Sequence, residues 1–239
     1  MVKISEYLVW AEGILGFAAL LAALLGGITI LQRRNDAAGK LMGWTALILC
    51  IGEALRLAAC LLRSFTERNA AFWSLTGRMA AALAVTVVCV LLSLLWEKLY
   101  EKKNSYYAEM LVRDLAGIRA LGCVGPIVLY LSNILQDEIY DPLAGVPALY
   151  ALIAPAVRCV PLLVIAAVVA RHWRKMRDAL PTLRSVWLAL VLSALFGVAA
   201  DIGAVFVPAL RLLWIAQVAC LLWIVMRFVR VAGETGELH

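Results

Sequence analysis

The chain has 239 residues, 64% of them hydrophobic and only 16% charged, with a net charge of +6. An ordinary soluble domain is about 45–50% apolar and 25% charged, so this composition excludes one. The positive balance does not mark a nucleic-acid binder: the basic residues stand in short links between apolar runs, where membrane topology places them.

Seven apolar runs follow in order. Each is near the length of about 20 residues that crosses about 30 Å of hydrocarbon. The first, 7–31, lacks the basic start of a signal peptide and reads as a retained helix, with Glu12 inside it. A basic link leads to the second, 41–62, which carries Glu53 and Arg56 near its middle. The third, 72–95, has Arg78 near its start. The polar link 97–114 is expected to continue that helix and turn at Asn104-Ser105.

The fourth run, 115–135, contains Gly117, Gly122 and Gly125, small residues that let neighbouring helices approach. An acidic link with Asp137, Glu138 and Asp141 follows. In the fifth run, 146–170, Pro155 and Pro161 bracket Arg158. Link 171–184 is the most basic. The sixth run, 185–207, holds Asp201, and the seventh, 208–226, holds Arg211 and Gln217. The expected fold is all-α: a polytopic integral membrane protein built as one bundle of seven transmembrane helices.

Lysine and arginine concentrate in the links after helices 1, 3 and 5, whereas the even-numbered links offer only Arg63 and Arg68. The positive-inside rule then puts the N-terminus outside and the C-terminus in the cytoplasm of a multi-pass plasma-membrane protein. Trp10 and Trp73 fall toward outer ends. Trp44, Trp96, Trp173, Trp187 and Trp223 fall toward inner ends, as aromatic belts require. The segment Trp44-Thr-Ala-Leu-Ile-Leu echoes Trp187-Leu-Ala-Leu-Val-Leu. Two parallel three-helix units joined by helix 4, a 3+1+3 internal repeat, would produce that echo. Composition alone would also produce it.

The informative set is the ionisable groups inside the runs. A charge at the centre of a bilayer costs about 2.5–3.5 kcal/mol on insertion scales, so such groups face partners or water inside the bundle. Glu53, Arg56 and Arg158 lie near the midplane. Glu12, Arg78, Asp201 and Arg211 lie further out, where snorkelling to the interface is the competing reading. Leu49, Glu53, Arg56 and Cys60 share one helix face, so Glu53 and Arg56 can pair or open on one cavity. Prolines on both sides of Arg158 favour an interrupted, site-lining helix. The excess of arginine favours a small polar or anionic solute. A buried ion-pair network that only fixes helix register is the alternative.

Other chemistry is absent from the sequence. The two histidines, His172 and His239, lie outside the runs, so there is no Ser-His-Asp set and no histidine metal site. The six cysteines form no Cys-x-x-Cys and read as small packing residues. No catalytic residue, metal or cofactor is expected. The leading expectation is a transporter or channel for that solute. A receptor-like sensor would instead signal through a cytoplasmic protein partner docked on 97–114 and 171–184. A structural subunit of a membrane complex is the third reading.

Overall fold

The computed structural model describes residues 2–65, 70–100, 106–135, 148–179, 183–203, 210 and 212–234. Among them are seven helices and no strand. They are α1 (Val2–Arg33), α2 (Ala37–Phe65), α3 (Ala70–Tyr100) and α4 (Tyr106–Leu135), then α5 (Ala148–Ala179), α6 (Arg184–Asp201) and α7 (Leu213–Gly233). Five contain stretches long and apolar enough to cross a membrane: Gly13–Arg33, Ala37–Arg63, Phe72–Leu99, Arg184–Asp201 and Leu213–Gly233.

Most of these helices outrun their apolar cores. α3 has 31 residues, about 46 Å at 1.5 Å per residue, against about 30 Å of hydrocarbon. The charged end with Glu97 and Lys98 therefore stays helical, to Tyr100. α5 likewise continues to Ala179, through the first half of the basic link. α6 ends earlier than hydropathy suggests, at Asp201. The expected turn at Asn104-Ser105 and the acidic link lie outside the described residues, as do most of the residues joining α6 to α7.

Each helix packs on the next in the chain, and α7 closes the ring by packing on α1 and, more lightly, on α2. Small residues set the spacing. A methyl at Gly77 on α3 would stand 2.7 Å from the Ala59 Cβ on α2. One at Gly122 on α4 would stand 2.9 Å from Val157 Cγ1 on α5. Such positions let helix backbones approach closely where lipid supplies no hydrophobic drive for association. Helix hydroxyls bond within their own helices, Thr45 to the Leu41 carbonyl and Thr86 to that of Ala82. That removes polar groups from the apolar layer. The outward faces are apolar, with Leu25, Ile51, Leu121 and Val160 among the exposed side chains.

The interior divides into two halves. At the end where α1 finishes and α2 begins, Ile30, Met42, Leu92, Trp187 and Phe228 are fully buried against one another. The Trp96 and Trp187 rings meet here at a tilt of 52°, centroids 5.5 Å apart. Trp187 is 1% exposed, so it is a core residue and not part of an aromatic belt. Its sequence counterpart Trp44 faces outward at 52% exposure, so the two echoing tryptophans occupy opposite environments. Toward the other end the packing gives way to a polar cavity.

Candidate functional site

α2 supplies the axis of this cavity. The midpoint of its span is Cys50, so Glu53 lies three residues, about 4.5 Å, beyond it. Leu49, Glu53, Arg56, Cys60 and Arg63 recur every three or four residues and all line the cavity. They form the face that helical spacing predicts. The space is about 250 Å³, room for about eight waters at the liquid volume of about 30 Å³ each. Six helices, α2 to α7, contribute to its wall.

Glu53 and Arg56 do both things that one helix face allows. Arg56 Nε donates to Glu53 Oε2 at 2.8 Å, and both side chains line the cavity. The Arg56 guanidinium also lies over the Trp214 ring of α7, 4.1 Å from its centroid, a cation–π contact. Its Nη2 is buried in the space left by the missing side chain of Gly16 on α1, with no hydrogen-bond partner among the described residues. Any side chain at Gly16 would collide with it.

Arg158 is buried at mid-depth on α5. Its Nε donates to Asp201 Oδ2 at 3.3 Å, so the last residue of α6 is an ion-pair partner and not an isolated interfacial acid. Its Nη1 donates to the Gly122 carbonyl of α4, also at 3.3 Å. That carbonyl is available for a local reason. In an unbroken helix it would accept from the amide four residues on, and residue 126 is proline, which has no N–H. The Cys159 thiol lies beside the same carboxylate, Sγ 3.9 Å from Asp201 Oδ2.

Sequence reasoning missed Arg119. It stands in the fourth run, one residue of charge among Ala, Gly, Ile and Leu, and is 3% exposed. Nε donates to the Arg158 carbonyl at 3.1 Å, and Nη1 to the Ala82 carbonyl at 2.7 Å and to Thr86 Oγ1. Arg119 thus ties α4 to both α3 and α5. Every partner is neutral: among the described residues no carboxylate pairs with it. In the run 115–135 it is the fifth residue, so hydropathy puts it near an end; the helix that begins at Tyr106 puts it near the middle.

The remaining candidates divide. Arg78 lines the cavity but is exposed, and its Nε donates to the Ser74 carbonyl 3.3 Å away. With exposed Arg63 it marks the mouth. The side chain of Glu12 and the whole of Arg211 lie outside the described residues. Gln217 lines the cavity and packs against Gly197 of α6. Among the described residues no group of three His, Cys, Asp or Glu is placed to hold a metal ion.

The described wall therefore carries Arg56, Arg63, Arg78, Arg119 and Arg158 against Glu53 and Asp201. Compared with known proteins, the chain matches no family model, no curated protein and no solved structure.

Proposed function

We propose that this multi-pass membrane protein binds a small polar or anionic solute in the cavity and carries it across the plasma membrane. One observation supports the reading above the others: five arginines and two carboxylates line a single open space of about 250 Å³. Arginine suits such a role because its planar fork matches carboxylate and phosphate geometry and keeps its charge when buried. A network serving register alone would be closed and fully paired. Among the described residues, Arg119 has neutral partners only and Arg56 Nη2 has none.

In this reading the cavity opens outward. The opposite end carries Arg33, Arg34, Lys40 and Arg230, the basic side that the positive-inside rule assigns to the cytoplasm. The reading is non-enzymatic because the sequence offers no nucleophile with a partnering base. Uptake of labelled acetate, benzoate and phosphate into proteoliposomes tests it. At least one should be taken up by the wild-type chain, and that uptake should be lost in Arg158→Ala. A protein that moves none of them, with no protection by any in a thermal-unfolding assay, would overturn the reading.

A further inference from the structure

We infer that the solute is a monovalent organic anion, a carboxylate carrying a compact hydrocarbon body. This rests on the cavity reading and narrows it by charge and by lining.

Charge gives the valence. The cavity arginines fall into two groups by depth. Arg63 and Arg78 are exposed at the mouth, where water screens them. The inner group is Arg119 and Arg158, both buried, and half-buried Arg56, set against buried Glu53 and half-buried Asp201. Among the described residues, three positive charges less two negative leave one. Each carboxylate is already held by its own arginine, at 2.8 Å and 3.3 Å. The surplus is carried by Arg119, whose partners are two carbonyls and a hydroxyl. Net charge in a site walled by hydrocarbon costs more than in bulk water, and one added negative charge removes it. A dianion would reverse the imbalance instead of cancelling it.

The lining gives the body. Away from the guanidiniums the wall is hydrocarbon: Ala81, Val85, Leu162, Val218 and Leu221 among the lining residues. An inorganic anion would leave this surface facing water, whereas an alkyl or aryl group would cover it. The space of about 250 Å³ fits an acid of benzoate size.

Binding to the purified full chain in nanodiscs, read by tryptophan fluorescence through cavity-lining Trp214 and Trp73 and by calorimetry, tests this. The probes are benzoate, acetate, chloride, sulfate and uncharged benzamide. Benzoate should bind saturably, about tenfold more tightly than acetate from burial of its ring. Sulfate and benzamide should not bind, and chloride should not displace benzoate at equal concentration. Asp201→Asn raises the inner surplus from one to two, so this variant should gain sulfate binding. The wild-type contrast of benzoate with sulfate stands as a test even if that variant fails to fold. Sulfate or chloride binding as well as benzoate would overturn the monovalent organic class while leaving an anion cavity. Absence of binding by every anion would overturn both.

Discussion

Arg158 of α5 donates through Nη1 to the Gly122 carbonyl of α4, 3.3 Å away, at the turn where Pro126 has removed the usual amide donor. The proline of one helix thereby creates the acceptor that holds the arginine of the next. Replacing it separates stability from binding. Pro126→Ala should return an amide to Gly122, leave the unfolding temperature unchanged or higher, and weaken anion binding several-fold. Thermal unfolding and benzoate titration on the same preparation check both halves; equal affinity in variant and wild type would show that the contact does not position Arg158.

Arg119 should matter to the fold as much as to the ligand. It satisfies acceptors on two neighbouring helices, and Arg119→Met removes all three of its hydrogen bonds. A loss of about 2–4 kcal/mol is expected, by the scale for hydrogen bonds to charged groups. Thr86→Val removes one of those acceptors and should cost about 1 kcal/mol. Denaturation in mild detergent measures the two.

Glu53 and Arg56 form a pair that is better kept or removed whole. Breaking it from one side leaves a charge in a mostly enclosed site, so Glu53→Gln should destabilise by about 1–3 kcal/mol, discounted from fully buried values because the cavity admits water. Glu53→Gln with Arg56→Gln should recover part of that loss. A double-mutant cycle with coupling near zero would show that water, and not Glu53, neutralises Arg56.

Gly16 offers a steric handle on the same arginine. Gly16→Val places carbon where Arg56 Nη2 now lies, so the guanidinium must move off Trp214 or α1 must move outward. A shift in tryptophan emission and a loss of about 1–3 kcal/mol are expected. An unchanged spectrum would mean that Arg56 does not rest on Trp214.

The mouth arginines should act on rate. Arg63→Gln with Arg78→Gln removes exposed charge from the entrance without touching the inner set. The association rate for benzoate should fall at low salt, with the difference fading above about 0.15 M as the Debye length shrinks below 10 Å. Stopped-flow fluorescence across a salt series reads this directly.

Much of this arrangement was legible in the residues. The cost of charge in hydrocarbon identified Glu53, Arg56 and Arg158, and helical spacing put the first two on one face. Asp201 reads as interfacial because it stands near the end of its run; its ion pair with Arg158 depends on where α5 lies beside α6, which hydropathy does not encode. Arg119 was passed over because three glycines drew attention to how thin that helix is. Its partners were not recoverable at all: Ala82 and Arg158 present carbonyls, and a main-chain acceptor has no signature in the side-chain alphabet. Trp187 was assigned to a belt by its position along the chain, but which side of a helix faces inward is decided by its neighbours, and here Trp96 claims it.

The tryptophan pair also says something about how a passenger could leave. Trp96 and Trp187 pack together in the same apolar cluster as Phe228 and Ile30, so among the described residues the cavity ends on a closed apolar half and is not a pipe. Anything that settles on the guanidiniums meets a greasy floor. Delivery to the far side would then require α3 and α6 to part and the guanidinium rim to close, in turn. A carrier of the kind proposed would then work one cargo at a time, at the pace of helix movement and not of diffusion.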